Sequence, residues 1–226
     1  MACVGVGFSK NLSNARVMRV FVNGKDVVVW RSSSGKLSAW ENRCPHRGMR
    51  LSYGFVRGEA LACMYHGWHY GVDGKCKYIP AHPNLEPPET IQIQKYISCE
   101  KNGVIWVSDE TEANTPEIPT GFFPIRSMEL HCSANSLKNA LGGFASESLV
   151  GDKTVFKVTY EQEDLMCVDI PKRKFSLCFI IQKFPNTRCF IHVLSERKCA
   201  PRDKKWISRG LEHLRRIAEK QSGEKT

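Results

Sequence analysis

Two short runs constrain this chain more than any other feature: Cys44-Pro-His46 and, after sixteen intervening residues, Cys63-Met-Tyr-His66. Their two thiolates and two imidazoles form a complete ligand set for a metal centre. One candidate is a binuclear iron–sulfur cluster in which one iron takes two Cys and the other takes two His. A tetrahedral zinc site accepts the same four donors. Gly48 and Gly67 follow the two runs and favour the cluster, because glycine lets backbone N–H groups approach the sulfides closely.

The overall composition is that of an ordinary globular protein, with 226 residues, of which 42% are hydrophobic and 25% charged. The sequence has no apolar run long enough for a membrane span and no signal-peptide pattern, so we expect a cytoplasmic protein without a membrane segment. A net charge of +10 occurs without a nucleic-acid motif. The charge therefore indicates either a docking face for an acidic redox partner or simply a solvated surface. Of the ten cysteines, the eight outside the two runs are expected to be free, mostly buried thiols.

The first half of the chain alternates short segments rich in β-branched and aromatic residues with turn signals, which predicts a small all-β unit. The predicted strands are Val17–Val22, Asp26–Arg31, Lys36–Trp40 and Val104–Val107. The turn signals are Asn23-Gly24, Ser34-Gly35, Asp73-Gly74 and Asn102-Gly103. We assign this unit to residues 1–110, with both cysteine–histidine runs in its loops, and place a proline-containing linker over 111–124.

The second unit, residues 125–226, has a different pattern. Apolar residues at helical spacing predict a helix within Leu137–Val150. Four predicted strands follow at Thr154–Tyr160, Leu165–Ile170, Phe175–Phe184 and Cys189–Ser195. A final helix capped by Asp203 would place one apolar stripe on the antiparallel sheet; the stripe is Trp206, Ile207, Leu211, Leu214, Ile217 and Ala218. The expected fold class is therefore α+β.

The residues around the two runs closely resemble Rieske proteins of the ring-hydroxylating and N- or O-demethylating oxygenases. The resemblance covers residues 17–107 and includes Ile79-Pro-Ala-His-Pro83, which is similar to the monooxygenase and demethylase branch. It implies one Rieske [2Fe–2S] cluster with Cys44 and Cys63 on one iron and His46 and His66 on the other. It also implies an N-terminal all-β Rieske domain followed by a reduced helix-grip-like antiparallel sheet with a C-terminal helix. His69 is expected beside the centre or at the surface rather than as a ligand.

Oxygenases of this family also hold a mononuclear iron through two His and one carboxylate. Their motif Asn-x-x-Asp-x-x-His-x4-His aligns with the segment that begins at Asn139, which is retained. Gly142 stands at the Asp position, and Ala145 and Val150 stand at the two His positions. The stretch after Val150 is also shorter than the resemblance implies. We therefore expect no catalytic residue and no mononuclear iron in this chain. The other second-half histidines share no ligand spacing; they are His131, His192 and His213.

Together these features predict the electron-transfer subunit of a non-haem iron oxygenase system. Electrons would pass from an NAD(P)H-dependent reductase or ferredoxin to a mononuclear iron on a partner catalytic subunit, within a hetero-oligomer. One exposed ligand histidine would face a carboxylate of that partner. The second unit would serve assembly, with the Trp206 helix and the basic stretch Arg197–Lys205 as candidate contacts. Two alternatives stay open: a complete oxygenase, demethylase or hydroxylase, with a non-standard iron site, and a standalone ferredoxin-like carrier.

Overall fold

The computed structural model describes residues 3–110, 114–115, 118, 121–144, 157–162, 164–185 and 187–223. The chain divides into two compact units. The first contains Met1–Lys101 and Ile105–Thr115, and the second contains Asn102–Val104 and Pro116–Thr226. The exact bounds of the linker, 111–124, stay a prediction. Within the described ranges, no helix is both long and apolar enough to cross a bilayer.

The first unit is built from two sheets, and four of its ten described strands coincide, within one residue at each end, with the segments predicted from the sequence. The strands are β1 Val4–Phe8, β2 Arg16–Val22, β3 Lys25–Arg31, β4 Leu37–Glu41, β5 Phe55–Arg57, β6 Ala60–Ala62, β7 His69–Gly71, β8 Cys76–Tyr78, β9 Lys95–Lys101 and β10 Val104–Ser108. One sheet has the order β1-β10-β9-β4-β3-β2, and the other has the order β5-β6-β7-β8.

Strand β3 shows why this unit needs apolar residues on both faces of its larger sheet. Successive side chains of a strand point to opposite faces. Val27 and Val29 pack into one core with residues of β2 and β10. Val28 and Trp30 pack into a second core, which also contains the cysteines of both metal-binding runs. The near-continuous apolar run in β3 therefore forms part of the core against which the cysteines of both runs pack.

The predicted Asn-Gly turns are present as expected. Asn23 and Gly24 join β2 to β3 with φ values of 50° and 80°. Asn102 and Gly103 join β9 to β10 with φ values of 54° and 71°. Two successive positive φ angles characterise the tight hairpin turn whose twist matches the flanking strands, and Asn-Gly adopts it most readily. These turns fix the register of the two hairpins.

The second unit is an antiparallel sheet with helices packed on it. Its strands are β11 Phe123–Leu130, β12 Lys157–Gln162, β13 Leu165–Ile170, β14 Phe175–Phe184 and β15 Arg188–Ser195, in the order β11-β15-β14-β13-β12. Its helices are α1 Ala134–Phe144 and α2 Pro201–Gly223. The predicted stripe of α2 packs into the core of this sheet.

Two expectations for the second unit require correction. Helix α2 begins two residues before Asp203, so Asp203 lies in its first turn and pairs with Arg197 and Arg173 instead of capping it. The expectation of free thiols is wrong for Cys167 and Cys178, which form a disulfide. They face each other across β13 and β14 with their Cα atoms 4.1 Å apart. This pairing requires the strand register, which cysteine spacing does not reveal.

Candidate metal centre

The first cysteine–histidine run lies in a turn directly after β4. The backbone N–H of Cys44 donates to the carbonyl of Met49 at 2.8 Å, and the N–H of Gly48 donates to the carbonyl of Cys44 at 2.8 Å. Gly48 has φ +72°, a left-handed conformation that glycine adopts without steric cost. The turn is therefore closed by the backbone alone, leaving the side chains of Cys44 and His46 available for a ligand.

The second run connects β6 to β7 and closes in the same way. The N–H of Cys63 donates to the carbonyl of Trp68 at 2.9 Å, and the N–H of Gly67 donates to the carbonyl of Cys63 at 3.0 Å. Gly67 has φ +68°. In both turns the glycine comes four residues after the cysteine, although the histidine comes two residues after Cys44 and three after Cys63. The two runs therefore form the same type of backbone turn and differ in the position of the histidine.

Both cysteines point into the protein. Each has an exposed fraction of 2%, and they share one core with Trp30, Trp40 and Tyr70. The Tyr70 hydroxyl lies 3.1 Å from the Cys44 sulfur. Burial, reinforced by this hydrogen bond, raises the pKa of Tyr70 well above its ordinary value. Tyr70 therefore stays protonated and can donate to a thiolate at Cys44.

The sulfur of Cys63 lies among polar groups as well. Burial raises the pKa of this thiol, and hydrogen bonds from the backbone N–H groups of Tyr65 and His66 oppose that shift. Interaction with Cys44 raises the pKa further, because two neighbouring sulfurs resist carrying two negative charges. A bound cation would remove this repulsion, since metal coordination deprotonates a thiol.

Both histidines lie on the outer side of the turns, where His46 is half-buried and His66 is exposed. Their ring centroids are 4.7 Å apart. His46 stacks on Trp68 with a centroid separation of 4.2 Å, and His66 stacks on Tyr65 at 3.9 Å. Burial and the charges of nearby groups, including Arg47, lower the pKa of His46, so its ring stays neutral and can act as a ligand.

This donor set fits a centre with two kinds of iron. Two buried thiols lie beside each other, and two imidazole rings lie beside each other nearer the surface. A cluster in which two cysteines hold one iron and two histidines hold the other requires this arrangement. Across the described part of the chain, no three His, Cys, Asp or Glu side chains are grouped as a single metal ion would need. Cys44 and Cys63 would hold one iron, and His46 and His66 would hold the other.

The expectation that His69 lies beside the centre or at the surface, without being a ligand, stays a prediction. His69 lies in β7, half-buried, with its ring 5.3 Å from that of Tyr78. Burial lowers its pKa. Sequence reasoning did not anticipate the roles of Trp68 and Tyr70, although both lie in the run Cys63–Tyr70. Aromatic residues at every second or third position after a ligand cysteine were the available signal.

In the second unit, Asn139 and Gly142 lie on helix α1, and Gly142 is exposed. A Cβ atom added at Gly142 would meet nothing within 4 Å. Ala145 and Val150, the residues at the two expected histidine positions, lie outside the described residues.

Of the other second-half histidines, His131 and His213 are exposed, whereas His192 is buried in β15. The Nδ1 atom of His192 lies 2.8 Å from Ser127 Oγ, and its Nε2 atom lies 3.3 Å from Gln182 Oε1. Burial lowers the pKa of His192 to about 4. His192 is therefore a neutral core residue whose ring nitrogens both have hydrogen-bonding neighbours.

Comparison with known proteins agrees with this geometry. Residues 2–96 match the Rieske [2Fe-2S] domain family. The chain is 38% identical over 104 residues to the oxidoreductase NdmD of Pseudomonas putida, covering 46% of this chain and 18% of that protein. It is 36% identical over 103 residues to the 3-chlorobenzoate-3,4-dioxygenase oxygenase subunit of Comamonas testosteroni, covering 45% of this chain and 24% of that subunit. The match thus spans a quarter or less of these relatives.

A solved structure extends the likeness of fold over both units. NdmA of Pseudomonas putida CBB5 has a TM-score of 0.75 and 17% identity, covering 96% of this chain and 80% of that chain. The α+β architecture predicted from the sequence is therefore confirmed, with a Rieske β domain followed by an antiparallel sheet and a C-terminal helix.

Residues 2–96 of this chain are a Rieske [2Fe–2S] domain. Over just under half of its length the chain has homologues among the Rieske non-haem iron oxygenases, which confirms the resemblance seen in the two cysteine–histidine runs.

Proposed function

We propose that this chain is an electron-transfer subunit of a non-haem iron oxygenase system. It would accept electrons from an NAD(P)H-dependent reductase or a ferredoxin and deliver them to a mononuclear iron held by a partner catalytic subunit. When bound, the [2Fe–2S] cluster supplies one-electron redox chemistry. The relatives support this class, since their names describe an oxidoreductase and a dioxygenase oxygenase subunit.

The arrangement of the two turns is the observation that carries the proposal. Cys44 and Cys63 hold the buried end of the site within the aromatic core, while His46 and His66 hold the end nearer solvent. His66 is the more exposed of the two rings, and we assign it as the histidine that meets a carboxylate of the catalytic partner. An imidazole with one nitrogen bound to iron keeps a second nitrogen that can donate a hydrogen bond to such a carboxylate.

The second unit supports a role without oxygen chemistry on this chain. Gly142, at the position where the oxygenase motif has Asp, offers no side chain to bind iron or to bridge to a neighbouring subunit. Its exposed place on α1 leaves open space around the missing side chain. A complete oxygenase would need a mononuclear site built from other residues, and the oxygenase-like fold of this unit makes that the second candidate function.

Metal analysis combined with EPR of the reduced protein tests the proposal. Anaerobically purified chain should contain two irons and two sulfides and show a Rieske-type EPR signal. Replacing one proposed ligand from each turn, as in Cys44→Ala and His66→Ala, should abolish that signal. Cys99→Ala is the matched control, because Cys99 is half-buried and free, and it should leave iron content unchanged. A third iron required for O2 turnover by this chain alone would refute the proposal.

Co-purification separates a subunit from a standalone carrier. The reconstituted chain should form a complex with an oxygenase subunit that lacks its own Rieske loops and should support turnover only in that complex. A chain that stays monomeric and transfers electrons without binding any oxygenase subunit would instead be a ferredoxin-like carrier.

A further inference from the structure

A cleft of about 970 Å³ lies beside the first metal-binding turn. We call it the basic cleft and define it by four cations that line it: Lys25, Arg43, Arg47 and Arg50. Arg43 and Arg47 directly flank the Cys44–His46 run in the sequence. A smaller groove of about 420 Å³ shares Arg43 and Arg47 and is lined by His46. The positive charge is therefore adjacent to one of the proposed iron ligands.

The charges in the basic cleft are only partly neutralised by the protein itself. Of its two carboxylates, Asp26 already pairs with Arg19 at 2.8 Å and with Arg50 at 3.1 Å. Glu41 is the other carboxylate. Lys25 pairs with Asp109, which lies outside the lining, at 2.7 Å. Over the ranges that the structure describes, no salt bridge engages Arg43 or Arg47. The guanidinium of Arg43 is held near Gly48, where an added Cβ would lie 3.3 Å from its Nε. The cations nearest His46 thus remain available to an external anion.

The walls of the basic cleft have the composition of a protein-binding surface. Tyr53 is 53% exposed and Tyr65 is 56% exposed, and both line the cleft. Tyrosine and arginine are enriched at the centre of protein interfaces, because they combine a large apolar contact area with a polar end. A small-molecule pocket would enclose its ligand far more completely. Since Tyr65 also stacks on His66, a protein seated here would contact the rim of the metal site.

We propose that the basic cleft is the docking site for the electron donor, and that this donor presents an acidic surface. This inference rests on the proposed function. In each encounter one electron leaves the donor's one-electron carrier, which is oxidised, and reduces the centre of this chain, with no transfer of atoms. Such encounters are brief and repeated, and opposite fields speed them by steering the two surfaces together. The catalytic subunit is assigned to His66 instead, as described above.

The test measures reduction of the cluster-loaded chain by a reduced, strongly acidic plant-type [2Fe–2S] ferredoxin in a stopped-flow experiment. In the variant R43Q/R47Q, the second-order rate constant at low ionic strength should fall about tenfold, within the range that steering produces. The difference should nearly vanish near 1 M salt, where charges are screened beyond about 3 Å. The variant R43K/R47K keeps both charges and should retain most of the rate.

The matched control is R209Q/R216Q, which removes two exposed cations from α2 in the other unit and changes the net charge equally. It should alter the rate less than twofold. An equal loss in both variants would show that net charge, not the basic cleft, drives the encounter, and would overturn the inference. An unchanged ferredoxin rate together with weakened binding of the catalytic subunit would assign the cleft to that subunit and would also overturn it.

A second donor keeps this test separate from the proposed function. Photoreduced deazaflavin is uncharged, so it should reduce the wild type and every variant at similar rates. If deazaflavin reduces the chain and only the ferredoxin comparison fails, the docking site is wrong and the proposed function stands. If the chain shows no Rieske EPR signal and no one-electron reduction by either donor, the proposed function itself fails.

Discussion

Replacing Tyr70 by Phe should lower the reduction potential of the cluster-loaded protein. The Tyr70 hydroxyl lies 3.1 Å from the Cys44 sulfur, and both side chains are buried. A hydrogen bond to a charged sulfur becomes stronger when the centre gains an electron and hence more negative charge. The hydroxyl therefore stabilises the reduced state more than the oxidised state.

The size of the effect follows from this difference. A hydrogen bond to a charged group contributes about 1.5–3 kcal/mol, and we take about 1 kcal/mol of it as the gain on reduction. For a one-electron couple, about 1.4 kcal/mol corresponds to a tenfold change in equilibrium constant and 59 mV. Tyr70→Phe should therefore lower the midpoint potential by about 40 mV. The phenyl ring preserves the packing against Trp30 and Trp40, so the fold should be retained.

Protein-film voltammetry or EPR-monitored redox titration measures this shift. Tyr78→Phe is the control, because Tyr78 is exposed on β8, and its potential should stay within about 10 mV of the wild type, a change too small to reflect a lost charged hydrogen bond. An unchanged or raised potential in Tyr70→Phe, with intact EPR and iron content, would refute the idea that this hydroxyl donates to Cys44 in the reduced protein.

Three further predictions concern the stability of the two units. Gly67→Ala should lower the free energy of unfolding by about 1–2 kcal/mol, because Gly67 has a left-handed backbone conformation that disfavours alanine. A steric cost should add to this loss, because the new Cβ would lie 3.0 Å from the side chain of Pro80. Gly58→Ala, at φ +58° with open space, should show only the backbone cost in urea denaturation, and equal losses would contradict the steric argument. Between pH 7 and pH 4 the free energy of unfolding of the wild type should fall by about 3 kcal/mol relative to that of His192→Gln. The reason is that His192 takes up a proton near its ordinary pKa of 6.5 in the unfolded chain but only near a pKa of about 4 in the folded chain. Parallel pH–stability curves for the two proteins would exclude this cause. Gly142→Ala should raise the free energy of unfolding by about 1 kcal/mol, since alanine is more favourable than glycine at an exposed helix position. A lower stability of this variant in thermal or urea unfolding would show that the glycine is structurally required.

Much of the site could be predicted because its ligands lie in two continuous runs. The C-x-H and C-x-x-H spacings, each followed by glycine, name the four proposed ligands in the sequence itself, and the structure brings these side chains together. The Asn-Gly turns and the alternation in β3 are equally local, since turn chemistry and strand period are read over a few residues. These features needed no knowledge of the tertiary fold.

Other features depend on which strands become neighbours. The disulfide between Cys167 and Cys178 follows from the register of β13 on β14. The hydrogen bond from Tyr70 to Cys44 joins residues 26 positions apart. The burial of His192 results from its partners on β11 and β14. Sequence spacing alone contains none of these pairings, which depend on strands that are distant in the chain.

The stacking of rings between the two turns has a consequence for the speed of electron transfer. His46 of one turn lies nearly parallel to Trp68 of the other, with an interplanar angle of 6°. Trp68 of the second turn therefore restrains His46 of the first, whose imidazole ring cannot swing without displacing this large aromatic side chain. Nuclear rearrangement is a barrier that every electron transfer must cross, and groups held in place beforehand keep it low. In the proposed electron transfer, this stack would hold His46 in place and so reduce the rearrangement that each step requires.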